Sequence, residues 1–437
     1  MWPYHPELLA TPVPRYTSYP TAADFDLLPS CHYRAELERT QGDVSLYLHI
    51  PFCEKICYYC GCNTGKANRR QRLDSYLAAL HTEIETVAAA LPKGVRVRRV
   101  AFGGGSPNAI RPADFMRLVD ALHRHFNLID PVYSIELDPR TMTADWARAI
   151  GDVGIERASL GVQTFAEHCQ KAIGREQPEE MILGTVDMLR DAGVSSLNFD
   201  LMYGLPGQTL EDLEDSMQRT RVLGADRVAL FGYAHVPHIV PRQRMIDGSN
   251  LPGAQARFDM AAMGFGFFLT HGYMPVGFDH FAKAGVDPLA SAAIDGTLRR
   301  NFQGFTDDPS DVLIGLGASA ISSFPRLIAQ NEKNSGRYRM RADQGQLAVD
   351  RGIHRSAEDR YRGAIIEDLL CRGRSRIGTR VMGEVAPRLR PFIERGLATL
   401  DRGWLTIDPD GLPYARTIAA LFDTYRMQSA RQFSSAV

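Results

Sequence analysis

The feature that most constrains the fold is a recurrence. Short β-branched or apolar runs return along the first half of the chain, each separated from the next by room for one helix. They are SLYLHI (45–50), VRRVAFGG (97–104), YSIELDP (133–139), RASLGVQ (157–163), SLNFDLMYG (196–204) and RVALFGYAHV (227–236). Between the first two, Leu73, Leu77, Leu80, Ile84 and Val87 recur at three- and four-residue steps, which puts them on one helical face. Strands alternating with helices imply parallel pairing through right-handed crossovers, hence a doubly wound sheet or a barrel. Both place their chemistry at the carboxyl ends of the strands. At those ends the chain carries HIPFC, FGGGSP, ELDP, GVQ, FDLMYG and YAH.

After about residue 240 the alternation weakens. The pattern predicts a helix over 253–271, and the small, apolar run DVLIGLGASAISSF (311–324) suggests backbone lying close to a ligand. From 355 onward the sequence turns helical and charged, and GWLTIDPDGLPY (403–414) reads as a short hairpin turning at DPDG. These signals divide the chain into an N-terminal arm (1–44), a barrel with its extension (45–350) and a mainly helical C-terminal domain (351–437). The strand–helix unit is the only repeat, and no segment is of low complexity.

At 437 residues, with 44% hydrophobic and 23% charged, the chain can build a large ordered core. Fifty Lys and Arg against 51 Asp and Glu leave a net charge of -1, so no basic field favours nucleic acid as a partner. No apolar run reaches the ~20 residues of a membrane span, and the first 21 residues lack a basic region followed by an apolar core. The expectation is a cytoplasmic protein. In a reducing compartment seven cysteines, four of them within ten positions, indicate metal or redox chemistry rather than disulfides.

Those four follow the spacing C-x3-C-x2-C-x-C directly after the first strand: Cys53, Cys57, Cys60 and Cys62. Structural zinc sites usually draw on two separated ligand pairs, and this chain has no second pair; a zinc site remains the plain alternative. Three thiolates on a loop leaving a strand can instead hold three irons of a four-iron cluster, with the fourth iron open.

C-x3-C-x2-C resembles the motif of the radical S-adenosylmethionine (SAM) enzymes, whose fold is a full or partial barrel of about six strand–helix units. The resemblance implies a partial (β/α)6 barrel in which Cys53, Cys57 and Cys60 ligate a 4Fe-4S cluster. SAM would chelate the fourth iron, and an electron from the cluster would cleave it to methionine and a 5′-deoxyadenosyl radical. Gly103, Gly104 and Gly105 resemble the family's glycine-rich strand end beside the methionine amine, where a Cβ would keep the cofactor away.

A wider set of motifs is similar to the oxygen-independent coproporphyrinogen III oxidases within that superfamily. It comprises PRYTSYPTA (14–22), the cysteine run, IELDPR (135–140), GVQTF (161–165), GREQ (174–177), FDLMYGLPGQT (199–209), YAHVP (233–237), FDHFA (278–282), RNFQGFT (300–306) and FDTYRMQSARQFS (422–434). The implied reaction converts two propionates of coproporphyrinogen III to vinyl groups with loss of carbon dioxide, giving protoporphyrinogen IX in heme biosynthesis. It needs an electron donor and an electron acceptor, and the protein is expected as a monomer. By the same resemblance Tyr47, Glu136, Gln163, Arg175 and Asp200 surround the first SAM, with Glu136 and Asp200 toward its sulfonium or ribose and Arg175 toward its carboxylate. Cys62, Ala234, Gln303 and Ile321 correspond to residues associated with a second SAM, and Cys62 is the catalytic candidate. Two positions depart from the family pattern, Tyr59 for Phe and Ser106 for Thr. Each keeps the physical character, an aromatic wall near adenine and a small hydroxyl.

A substrate with four carboxylates calls for cationic partners, and Arg15 and Arg300 lie beside matched motifs. His49 and His280 are marked only by their neighbours, while Cys31, Cys169 and Cys371 read as buried structural thiols. Two other readings stay open at this level. One is a related radical SAM enzyme acting on heme or another substrate; the other is a heme chaperone of the same fold, against which the C-x-C of Cys60 and Cys62 argues.

Overall fold

The computed structural model describes residues 2–67 and 70–426; residues 427–434 of the last matched motif lie outside that range. All six expected strands form: β1 (Asp43–Ile50), β2 (Arg96–Gly104), β3 (Leu128–Leu137), β4 (Arg157–Gln163), β5 (Ser196–Tyr203) and β6 (Arg227–Gly232). They pair in parallel and in chain order. The sixth stops at Gly232, short of the expected 236, and YAH continues as loop.

A seventh parallel strand, β7 (Leu313–Leu316), adds to the open side of β1, with Ile314 opposite Leu46 and Leu316 opposite Leu48. The run 311–324, whose Ser319 and Ile321 also line an open cleft, takes part in the sheet as well. Its small residues are there because the chain folds back on itself: a Cβ at Gly315 would stand 2.5 Å from the Ile321 carbonyl oxygen. Antiparallel strands extend the sheet at both ends, so the barrel is partial.

The period-two alternation of the strands explains what the barrel encloses. Leu46, Leu48, Val100, Phe102, Ile135, Leu160, Phe199 and Leu201 face outward and are buried. Helices cover this outer face, among them Arg70–Ala90, whose Leu73, Leu77, Leu80, Ile84 and Val87 are buried as the periodicity predicts. Ser45, Arg99, Ala101, Glu136, Arg157, Ser159, Asn198 and Asp200 face inward around a cavity of about 280 Å³. A hairpin, Arg299–Asn301 with Gly304–Thr306, plugs this interior. It is held by Asp307, whose carboxylate pairs with Arg99 at 2.8 Å and Arg157 at 2.7 Å.

The expected helix over 253–271 is Ala254–Thr270. The C-terminal part contains the helices Ala357–Arg372 and Thr379–Glu394 and a three-stranded sheet. Its hairpin joins Ala398–Asp401 to Trp404–Ile407 and turns at Arg402 and Gly403, not at DPDG. Both turn residues have positive φ (48° and 82°), as a two-residue hairpin loop demands, whereas Pro409–Tyr414 forms a 3-10 turn.

The N-terminal segment is stitched to the other end of the chain. Tyr16 donates to Asp423 at 2.9 Å, Tyr414 donates to the Pro3 carbonyl at 2.7 Å, and Val13, Tyr33 and Leu37 are buried in the same hydrophobic cluster as the barrel. Residue 350 falls inside the strand Val349–His354, which pairs with Leu327–Asn331 of the main sheet. Both expected breaks therefore run through packed structure rather than linkers.

Candidate active site

The cysteine loop leaves the carboxyl end of β1 and is fixed at both ends by backbone bonds. Gly65 donates to the Pro51 carbonyl at 2.8 Å, Ala67 to the Cys53 carbonyl at 2.9 Å, and Tyr58 to the Ile173 carbonyl at 2.9 Å. Gly174 makes the last contact possible, since a Cβ there would stand 2.9 Å from the Tyr58 ring.

Cationic groups surround the thiols. Arg140 reaches the sulfur of Cys57 at 3.3 Å and Arg175 reaches it at 3.4 Å. Both guanidinia also pair with the buried carboxylate of Asp138, at 2.6 and 3.4 Å. Arg175 further donates to the Gly161 carbonyl, so its hydrogen bonds go to the protein and to Cys57. The Cys60 thiol is held below the ordinary range, first by Cys62 facing its sulfur and then by Arg242 and Arg175. Cys53 moves the other way, pushed up to about 12 by burial and then by the negative charge of Cys60 and Asp138.

A 4Fe-4S cluster fits this donor set. The loop offers four sulfurs, three of them at C-x3-C-x2-C spacing, and no histidine, and burial makes these thiolates costly unless iron stands between them. Among the described residues, the group whose ligand atoms all lie within 4.8 Å of one another is His168, Cys169 and Asp212, elsewhere on the molecule. No three of the loop sulfurs lie within that distance of one another.

The glycine run has a structural explanation at each position. A Cβ on Gly103 would meet the Glu136 carboxyl at 2.7 Å, one on Gly104 the His49 ring at 2.6 Å, and one on Gly105 the Phe52 carbonyl oxygen at 2.5 Å. Gly104 also has φ +113°, and its N–H donates to Glu136 at 3.0 Å. The run is glycine so that β1, β2 and β3 can end at one point. Ser106 is buried, with its hydroxyl donated to Asn108, whose amide in turn ties to the Asp138 backbone at 2.9 and 3.1 Å.

One open cleft of about 690 Å³ gathers Tyr47, Cys60, Cys62, Gly104, Glu136, Gln303 and Ile321. His49, buried beside it, lies 3.2 Å from the Tyr47 hydroxyl, and burial lowers its ring to about 4. Tyr47 packs edge-on against Phe302 at the tip of the plug hairpin, 4.8 Å between centroids. Glu136 is pushed up to about 7, chiefly by burial and further by Asp200, while the Gly104 N–H works against the shift. Asp200 is displaced upward by burial and is held by Asn198 at 2.8 Å. An arriving cation would meet two carboxyls in a low-dielectric wall. Gln163 ends β4 with φ +69°, a left-handed conformation rare for a residue with a Cβ.

Ala234 is outside the cleft but linked to the cysteine loop by a residue the sequence reading passed over. Buried Gln243 donates to the Tyr59 carbonyl at 2.8 Å and the Ala234 carbonyl at 3.0 Å, and accepts from the Val236 N–H at 2.6 Å. Arg140, Asp138 and Asn108 were likewise unassigned, although Asp138 and Arg140 stand at a strand end where the signal was available. Arg15 and Arg300 do not reach the cleft. Cys31 is exposed, near the start of the helix Ser30–Arg39, whereas Cys169 and Cys371 are buried as expected.

A parallel partial barrel whose first strand leads into a loop of four clustered cysteines defines the class. The profile of the radical SAM superfamily matches residues 47–220, and the fold is that of a radical SAM enzyme. The chain is 39% identical over 439 residues to the oxygen-independent coproporphyrinogen III oxidase of Bradyrhizobium diazoefficiens, covering 97% of both. It is 40% identical over 436 residues to that of Paracoccus denitrificans, covering 96% of this chain and 95% of that one. The solved structure of the Escherichia coli coproporphyrinogen III oxidase superposes with a TM-score of 0.90 at 35% identity, over 97% of this chain and 99% of that one. The chain belongs to the family of oxygen-independent coproporphyrinogen III oxidases. No helix among the described residues is long and apolar enough to cross a membrane.

Proposed function

We propose that this chain carries out the oxygen-independent oxidative decarboxylation of two propionates of coproporphyrinogen III to vinyl groups, giving protoporphyrinogen IX. The observation that carries the reading is the joint one. A near-full-length match to enzymes of that name coincides with a cysteine loop, a pair of inward carboxyls and a plugged polar barrel meeting at one cleft. When bound, an iron–sulfur cluster with SAM supplies one-electron reduction and hydrogen-atom abstraction, which act on a C–H bond that no side-chain base ionises near neutral pH.

Cys53, Cys57 and Cys60 hold the cluster, and Arg140 and Arg175 stabilise its thiolates while Asp138 holds both guanidinia in place. Glu136 and Asp200 offer negative charge to a sulfonium or hydroxyl acceptors to a ribose; Tyr47 and Gly104 line the same cleft as Glu136, and Tyr59, Gln163, Gly103, Gly105 and Ser106 are the remaining residues we assign to this SAM. Arg175, held beside Cys57 and Asp138, is also the cation we assign to the SAM carboxylate. Cys62, Gln303 and Ile321 share the cleft and, with Ala234 behind Tyr59, are the residues for a second SAM. Each propionate gives up one hydrogen atom, one further electron and carbon dioxide, so the enzyme works with an electron donor and a separate electron acceptor. We assign it to the cytoplasm as a monomer. Anaerobic incubation of cluster-loaded protein with coproporphyrinogen III, SAM and a reductant tests the reading through vinyl formation.

A further inference from the structure

Beside the barrel, between β6, the helix Ala254–Thr270 and the two ends of the chain, lies an aromatic-walled pocket of about 60 Å³. Arg15, Arg257 and Arg416 line it with a single carboxylate, Asp279. That carboxylate is shared with His280, 2.7 Å away. Arg300 stands behind one wall, over Phe278 at 5.2 Å, where Arg416 also stacks at 5.7 Å. Positive charge thus exceeds negative in a site walled by Phe231, Phe258 and Phe281. The Nε of Arg257 is buried without a hydrogen-bond partner among the described residues, while its Nη2 donates to the Tyr233 carbonyl at 2.7 Å. Burial holds Arg257 below the ordinary guanidinium range, with Tyr203 opposing and Arg15 adding to the effect, and burial and then Arg15 lower Arg416. Unpaired buried guanidinium N–H groups are costly and call for an anion.

The pocket adjoins the barrel interior. Phe231 is a wall of both this pocket and the barrel interior, and the interior shares Glu136 and Gln303 with the cysteine cleft. Its size admits a carboxylate on a short hydrocarbon stem and not a tetrapyrrole ring. Resting on the function proposed above, we infer that this arginine pocket holds a propionate carboxylate of the substrate, and one that survives the reaction. A carboxylate destined to leave as neutral carbon dioxide would be held back by a guanidinium clamp, because the clamp stabilises the ground state more than the transition state. The two propionates that are not decarboxylated carry no such conflict, and their recognition fixes the orientation of the ring.

The test uses cluster-loaded protein and coproporphyrin III, the stable oxidised analogue of the substrate, titrated by fluorescence alongside its uncharged tetramethyl ester. Arg257→Gln and Arg416→Gln should each weaken coproporphyrin III about tenfold to a hundredfold. Ester binding, SAM binding and iron content should stay unchanged, and Arg257→Lys should recover most of the loss. In turnover the variants should raise KM for the porphyrinogen more than they lower kcat. Equal binding of coproporphyrin III by variants and parent would overturn the inference, as would an equal loss for the ester. If the Gln variants unfold, the Lys variants decide: parent-like binding supports a charge clamp, and loss of both ligands overturns it. Failure of the parent to form vinyl groups while it still binds coproporphyrin III through these arginines would strike the proposed reaction and not the anion site.

Discussion

Arg175 places its Nη1 3.4 Å from the sulfur of Cys57, a residue 118 positions earlier in the chain. The contact joins the cysteine loop to the segment after β4, and Arg140 meets the same sulfur from the turn after β3. Positive charge beside a thiolate favours the reduced, more negative cluster. Arg175→Gln should therefore lower the cluster's reduction potential while leaving its iron content near four per chain, as read by an EPR-monitored redox titration. An unchanged or raised potential would contradict the role assigned to Arg175.

The glycine run predicts a graded series. Gly105→Ala drives a Cβ into the backbone of Phe52 at 2.5 Å, where nothing can swing away, and should cost about 3 kcal/mol and loosen the cysteine loop. Gly103→Ala meets only the end of the Glu136 side chain, which can turn aside. It should cost about 1 kcal/mol in stability yet weaken SAM binding, because Glu136 is displaced from the cleft. Thermal unfolding and SAM equilibrium binding separate the two.

Buried Glu83 predicts a pH dependence of stability. It accepts from Tyr338, the Gly317 N–H and Asn331, each at 2.6 Å, and burial raises it from an ordinary 4.5 to about 7. The folded state then binds the proton more tightly than the unfolded state. The stabilisation is present in full below pH about 4.5 and is lost as the pH rises through about 7, amounting to about 3 kcal/mol. Denaturant unfolding across that window should show the decline, and Glu83→Gln should flatten it.

Gln243 is predicted to matter without touching a cofactor. Gln243→Ala removes the bridge between the Tyr59 and Ala234 carbonyls and leaves the Val236 N–H without its acceptor. A loss of about 2 kcal/mol should follow, with faster release of iron to a chelator. Iron release at the parental rate would show that the bridge does not hold the loop.

The six barrel strands were legible because each has to bury one face under a helix, and that requirement writes apolar residues at alternate positions. β7 was not, because its Gly315 answers to the Ile321 backbone and its partner β1 lies some 270 residues upstream. The DPDG run is a strong local turn signal, yet Arg402–Gly403, with two positive φ values, took the hairpin. At the site, the cysteines and the inward carboxyls could be read from strand ends. The second layer could not: Arg140, Asn108 and Gln243 act through backbone carbonyls and sulfurs that only the folded chain brings within reach. The glycines were read as room for a cofactor, and the structure adds a reason internal to the protein.

Three of the four clustered cysteines are assigned to iron, and the site they build to vinyl formation. The most direct measurement is anaerobic turnover of coproporphyrinogen III, with iron content determined on the same samples, for the parent and for Cys53→Ser, Cys57→Ser, Cys60→Ser and Cys62→Ser. The parent should yield protoporphyrinogen IX and hold about four irons. The first three variants should lose iron and product together, and Cys62→Ser should keep the iron and lose product. A reduced, cluster-replete parent that makes no protoporphyrinogen IX would contradict the reaction, and a Cys62→Ser variant as poor in iron as the other three would contradict the assignment of ligands.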